Sequence, residues 1–154
     1  MIKVGLIGIG GMGGNHFECY KNIENAEVVE IVVRLSAEVV AVADVREAMA
    51  SEKTSGTSTK LYKSIDELLE KEDLDMVDIC TPSYMHREMS IKCLGRGLNV
   101  LCEKPMSLNS DDTAEIIRAA EKSGKIFMTA HVVRFMKPYV YLKNVIESNR
   151  LGRL

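Results

Sequence analysis

Short apolar runs alternate with longer stretches of helical periodicity along most of the chain. The runs Ile2–Gly8, Val39–Asp44, Leu61–Tyr62, Met76–Thr81, Asn99–Cys102 and Lys125–Ala130 predict strands. Most are nearly continuous in Val, Ile, Leu and Met, the pattern of strands buried on both faces of a parallel sheet. Helices are expected between them at Met12–Ile23, Val45–Lys53, Ser64–Glu72, Met85–Leu94 and Ser110–Ser123, and after Pro138 at Tyr139–Ser148. Ser64-x-x-Glu67 reads as a capping box satisfying two N–H groups at a helix start. Gly95 and Gly124 stand where the fourth and fifth helices stop. This β-α-β-α order predicts an α/β fold, a doubly wound parallel sheet with right-handed crossovers. Glu27–Leu35, dense in β-branched residues, fits less well. A helix extension, an edge strand and an arm all stay open for it.

Length and composition narrow the class. A chain of 154 residues suits one domain, since one core organises about 100–200 residues. With 46% hydrophobic and 27% charged residues it is of ordinary globular make-up, which excludes collagen-like, disordered and disulfide-scaffold classes. A net charge of −2 gives no argument for a nucleic-acid partner, because tracking phosphates needs a basic excess. No uncharged apolar stretch reaches the ~18 residues of a membrane span. The apolar start, Val4–Gly13, carries five glycines and no small-residue cleavage site, and so reads as a strand and loop rather than a leader. Cys19, Cys80, Cys93 and Cys102 show no C-x-x-C spacing. Cys80 and Cys102 sit in apolar runs as small hydrophobes, and a reducing cytoplasm is the expected compartment.

Gly8-Ile9-Gly10-Gly11-Met12-Gly13 fits G-x-G-x-x-G between a predicted strand and a predicted helix, the context a dinucleotide fingerprint requires. Gly8 permits the tight turn, Gly10 lets the main chain approach a pyrophosphate, and Gly13 lets helix and strand pack closely. Free N–H groups and the positive end of the helix dipole would bind the phosphates. Asp44 closes the second predicted strand, where an acid accepts from the adenosine ribose, although it lies beyond the usual ~20 residues after the motif. Its carboxylate would repel a 2′-phosphate and favours NAD over NADP. Arg46, two residues on, would instead pair with that phosphate, and Asp44 could also simply N-cap the following helix. No His, Cys, Asp and Glu grouping has metal-ligand spacing along the sequence.

Further on come Thr81-Pro82-x-x-x-His86-x-Glu88, then Glu103-Lys104-Pro105, Arg134-Phe135 and Leu151-Gly152. With the glycine loop and Asp44, these resemble the Gfo/Idh/MocA oxidoreductase family along the whole chain. Members include glucose–fructose oxidoreductase, inositol dehydrogenase and related sugar dehydrogenases. The resemblance implies that the N-terminal Rossmann domain binds a nicotinamide cofactor, and that Lys104 contacts the oxygen of a small-molecule substrate of the sugar or polyol class. Hydride leaves a carbinol carbon only as its O–H proton is removed, and a desolvated lysine can take or relay that proton. Glu103 would orient the lysine region or touch the cofactor, and Pro105 would turn the chain. By the same resemblance Thr81-Pro82 lines the adenosine and ribose side, and His86 stands near the nicotinamide ribose. A surface Glu–Lys pair, a proline ending a strand and a packing histidine are the alternative readings of these residues. His16 reads as a satisfied or exposed side chain, and His131 as a residue bordering the site.

Members of the family continue into a second α/β domain that carries most of the substrate pocket and, in many, an Asp-x-x-x-His pair. On that basis residues 1–136 are expected to form the dinucleotide-binding domain. Residues 137–154 would be a terminal helix and the start of the absent domain, with an apolar helix face that favours self-association. A truncated cofactor domain, one half of a split enzyme whose partner is a separate polypeptide, and a non-catalytic dinucleotide-binding module all stay open. A methyltransferase with a similar glycine loop is disfavoured, because it gives Glu103-Lys104-Pro105 no task.

Overall fold

The computed structural model describes residues 2–23, 37–149 and 152, with the side chains of 37 and 38 not described. The Glu27–Leu35 segment lies outside the described residues. Six strands, β1 (Ile2–Ile7), β2 (Ala37–Ala43), β3 (Lys60–Tyr62), β4 (Met76–Ile79), β5 (Asn99–Cys102) and β6 (Phe127–Thr129), form one sheet in the order β3-β2-β1-β4-β5-β6. Every pairing is parallel. Strand succession runs outward from β1 to β3, then restarts on the other side with β4. The crevice at the carboxyl ends of β1 and β4 is therefore the switch point at which such sheets bind ligands.

Helices α1 (Gly11–Tyr20), α2 (Glu47–Lys53), α3 (Ile65–Lys71), α4 (His86–Gly95), α5 (Ser110–Ser123) and α6 (Lys137–Glu147) follow the strands in turn. Side-chain alternation along β1 builds two cores. Val4, Leu6 and Ile9 pack with Phe17 of α1 and Ala50 of α2. Ile7, Val77, Ile79, Val100 and Cys102 pack with Leu68 of α3 and with Cys93 and Leu94 of α4. The central strands thus bury both faces, which is why they read as continuous apolar runs. The outermost strand β3 is exposed or half-buried throughout.

Local chemistry sets the helix ends. Asn109 caps α5 by accepting from the Asp112 N–H, and Gly124 closes it in the left-handed region at φ 64°. Ser64 accepts from the Glu67 N–H at 3.2 Å, but Glu67 reaches back to the N–H of Lys63 rather than Ser64. The box therefore closes one residue earlier than expected. Gly95 lies inside α4; Gly97, at φ 77°, takes the left-handed position after it. A 3-10 turn at Val132–Phe135 leads into α6. Tyr139, Val140, Tyr141, Leu142 and Ile146 of α6 are exposed and only Val145 is buried. No helix among the described residues is long and apolar enough to cross a membrane.

Candidate functional site

The glycine loop leaves β1 at its carboxyl end. Gly8 has φ 84°, a left-handed conformation that glycine adopts without strain. Its N–H donates to Ala43 O of β2 at 2.8 Å, while the Cys80 N–H donates to Ile7 O at 2.8 Å. The loop is thereby tied to the strands on both sides. A Cβ on Gly13 would stand 1.9 Å from Gly8 O, so the first turn of α1 lies directly against the turn that precedes it. The first intrahelical bond of α1 runs from the Gly14 N–H to Gly10 O. The N–H groups of Gly11, Met12 and Gly13 thus have no acceptor within their own helix and lie at its positive end. A Cβ on Gly11 would meet nothing within 4 Å. This is a main-chain cradle of the kind that binds phosphate, open above Gly11.

Asp44 stands beside this cradle at the end of β2. Its Oδ2 accepts from the Ile9 N–H at 2.9 Å and from Arg46 at 2.9 Å. Its Oδ1 accepts from the Arg46 N–H at 2.8 Å and from Arg46 Nε at 3.0 Å. Burial alone would raise the carboxyl's pKa, but the Arg46 and Ile9 hydrogen bonds outweigh it and hold the group below its ordinary value. The helix that follows is capped at Arg46 without a side-chain bond, so Asp44 braces the glycine loop and does not cap α2. Arg46 is half-exposed and its guanidinium lies over Gly10, 3.2 Å from where a Cβ would be. Lys53, which the sequence did not single out, donates from Nζ to Gly10 O at 2.8 Å. Two cations therefore flank the loop.

Across the switch point, the Glu103 N–H donates to Ile79 O at 2.9 Å and extends β5 alongside β4. Glu103 is buried at 5% exposure, and its Oε2 accepts the Lys104 N–H at 2.9 Å. Lys104 itself is exposed, and the Lys104–Pro105 peptide bond is cis. Thr81 and Pro82 occupy the turn after β4. His86 opens α4 fully buried, with Nδ1 2.8 Å from Pro105 O and Nε2 2.9 Å from Thr81 O. It is a strut between the two turns that line the crevice and offers the crevice no free ring nitrogen. The structure thus gathers Gly8–Gly13, Asp44, Arg46, Thr81, Pro82, Glu103 and Lys104 at one sheet edge, with His86 beneath it. His131 is exposed just after β6.

Sequence reasoning missed the cluster below the loop. His16 of α1 meets Asp78 of β4, Glu103 and Cys80. The only trace of it in the sequence is an acid within the apolar run Met76-Val77-Asp78-Ile79-Cys80. Ligand-type atoms of His16, Asp78 and Cys80 lie within 4.8 Å of one another. Their atoms are already hydrogen-bonded to each other, with His16 Nδ1 2.8 Å from Asp78 Oδ2. Burial, reinforced by Asp78, pushes the Cys80 thiol up, which opposes the thiolate a metal would need.

The sequence matches the family model GFO_IDH_MocA, described as an oxidoreductase family with an NAD-binding Rossmann fold, over residues 2–131. It is 31% identical to 4-carboxy-2-hydroxymuconate-6-semialdehyde dehydrogenase of Sphingobium sp., over 98% of this chain and 45% of the relative. To inositol 2-dehydrogenase of Arthrobacter sp. it is 33% identical, over 99% of this chain and 43% of that protein. The crystal structure of the WlbA dehydrogenase from Chromobacterium violaceum, in complex with NADH and UDP-GlcNAcA, superposes with a TM-score of 0.88 at 28% identity. That likeness covers 99% of this chain and 41% of the other. The chain thus spans less than half the length of these relatives. The cradle at the switch point, the acid beside it and the family match agree, and the protein belongs to the Gfo/Idh/MocA oxidoreductases as their NAD-binding Rossmann domain.

Proposed function

We propose that the protein forms the cofactor half of an oxidoreductase that moves hydride between NAD and the carbinol carbon of a sugar, polyol or related hydroxyl compound. The observation that carries this reading is the shared edge. The glycine cradle, Asp44 and the Glu103–Lys104 turn stand at the carboxyl ends of β1, β2 and β5, along one edge of the sheet. A cofactor bound along that edge would have its adenosine ribose at Asp44, its diphosphate over the glycine loop and its nicotinamide toward Lys104. The N–H groups of Gly11, Met12 and Gly13 would hold the diphosphate, with Arg46 and Lys53 adding charge beside it. Asp44 would accept from the ribose hydroxyls, and Thr81 and Pro82 would line the turn between. When bound, the nicotinamide supplies a two-electron hydride acceptor. Lys104 would take the proton: as the carbinol C–H electron pair leaves as hydride to that acceptor, the substrate O–H proton would pass to the unprotonated lysine amine and the carbonyl would form. Residues 1–136 are the dinucleotide domain in this reading, and 137–154 lead toward the substrate-binding part.

Titration of the chain with NADH and with NADPH, followed by cofactor fluorescence, tests the first link. Saturable binding of NADH in preference to NADPH is expected, and binding of neither removes the cofactor reading. In a form that turns over substrate, Lys104→Met should leave NADH affinity nearly unchanged while lowering kcat by about 100-fold or more. Turnover at the parent rate would remove Lys104 from the chemistry.

A further inference from the structure

Two buried carboxylates on neighbouring strands face one base beneath the glycine loop. Asp78 of β4 is completely buried, and Glu103 follows β5 at 5% exposure. His16, in the second turn of α1, lies between them: Nδ1 is 2.8 Å from Asp78 Oδ2 and Nε2 is 3.3 Å from Glu103 Oε1. Tyr20 of the same helix donates to Asp78 Oδ2 at 3.1 Å. Cys80 Sγ stands 3.6 Å from Asp78 Oδ1 and 3.4 Å from His16 Nδ1. A neutral imidazole has one N–H, whereas here Nδ1 is hydrogen-bonded to one carboxylate and Nε2 lies within ion-pair distance of a second, an arrangement that favours a proton on both nitrogens. The protonated ring satisfies both contacts and supplies the positive charge that two buried anions need. Burial pushes both Tyr20 and Cys80 up, so neither adds a further anion to the cluster.

We propose that His16 is a positioning residue of the cofactor site, fastening the glycine-loop helix to the strand end that carries Lys104 through its bonds to Asp78 and Glu103. This rests on the reading of the Glu103–Lys104 turn as part of that site. Glu103 is the shared link, since Oε1 faces His16 while Oε2 accepts the Lys104 N–H. If the ring loses a proton, the shorter contact to Asp78 keeps the remaining N–H. A nitrogen lone pair then faces Glu103 Oε1, and the carboxylate that holds the Lys104 main chain is released.

The direction of the pH dependence follows. The Asp78 hydrogen bond first, then the charges of Asp78 and Glu103, raise the His16 pKa above its ordinary value against the opposing effect of burial. The contribution of the lock to stability is whole below the unfolded pKa of ~6.5 and is lost as pH rises through the higher folded value.

The test compares the parent chain with His16→Asn and His16→Gln, using NADH affinity against pH and the ¹⁵N chemical shifts of the His16 ring. Asparagine retains reach to Asp78 but not to Glu103, whereas glutamine is long enough to donate to Glu103. Parent affinity should weaken by about two- to thirtyfold as His16 deprotonates, the range set by couplings of this kind. His16→Asn should bind weakly with no such step, and His16→Gln should recover much of the low-pH affinity, also without the step. Thermal unfolding of each variant separates misfolding from loss of the lock. Two ring protons on His16 at neutral pH support the lock. A single one overturns it, as does NADH binding by His16→Asn that follows the parent's pH profile. Failure of the folded parent to bind NADH at any pH is a different result, since it removes the cofactor reading itself.

Discussion

Gly13→Ala is expected to destabilise the protein by at least ~3 kcal/mol, lowering its melting temperature by roughly 6–12 °C. The added methyl carbon would stand 1.9 Å from Gly8 O and 2.9 Å from Gly8 C. Both atoms are main chain, and the turn that holds them is fixed by the bond from the Gly8 N–H to Ala43 O. No side chain can rotate away, so α1 has to move off the loop. That movement draws Phe17 from the core it shares with Val4, Leu6 and Ile9. It also separates His16 from Asp78 and Glu103 and displaces the N–H groups that form the cradle. NADH binding should therefore be lost along with stability.

Gly11→Ala is the control two positions away. Its methyl carbon meets nothing within 4 Å, and its backbone is not left-handed. Alanine there should be neutral or stabilise by up to ~1 kcal/mol through the unfolded chain. Circular dichroism melts of both variants check the pair. A Gly13→Ala protein that melts with the parent would mean that α1 does not rest on the Gly8 turn.

The contrast between those glycines shows what the sequence could convey. G-x-G-x-x-G names positions whose constraint is local: a turn, a close approach and a helix start within six residues. Such features are written contiguously and were legible. The same holds for α5, whose bounds agree at both ends because Asn109 and Gly124 supply the cap and the stop, and β5 agrees at both ends as a short apolar run. Other boundaries moved for reasons the local pattern does not contain. The second helix begins at Glu47 rather than Val45, because the Asp44 carboxylate holds the Arg46 N–H in a turn of its own. The first helix ends at Tyr20, short of Ile23.

The His16 cluster was illegible for a different reason. His16 and Asp78 are 62 residues apart, and Glu103 lies a further strand away. Only the placement of β1 beside β4, and of β4 beside β5, brings them together. An acid in an apolar strand signals that some buried partner exists, but not which one. His86 carries the same lesson. Its position at the start of α4 is readable, whereas its commitment to Thr81 O and Pro105 O depends on how two distant turns meet.

Asp44→Ala should narrow or reverse the preference for NADH over NADPH. In the parent, the Asp44 carboxylate engages Arg46 through both oxygens and also takes the Ile9 N–H. A ribose 2′-hydroxyl could donate to such a group, while a 2′-phosphate would meet its negative charge. Loss of a charged acceptor costs about 1.5–3 kcal/mol, which corresponds to roughly 10- to 150-fold weaker NADH binding. The same change frees the guanidinium beside Gly10 to pair with a 2′-phosphate, so NADPH affinity should fall less or rise.

An Asp44→Ala, Arg46→Ala double variant separates the two effects. It should bind NADPH more weakly than the single variant, with a smaller further loss for NADH, whose diphosphate alone would meet the Arg46 charge and keeps Lys53 beside it. Stability follows a sign of its own. The folded carboxyl lies below its ordinary pKa because the Arg46 and Ile9 bonds outweigh burial. Its contribution is therefore whole above the unfolded pKa of ~3.9 and is lost as pH falls through the folded value. Arg46 is half-exposed, and solvent screening keeps its share of that contribution modest; the buried Ile9 N–H left without an acceptor accounts for more. Urea melts of parent and Asp44→Ala should therefore differ most near neutral pH and converge in acid. A gap that stayed constant down to the acid limit would mean that the carboxylate's charge contributes nothing to bracing the loop.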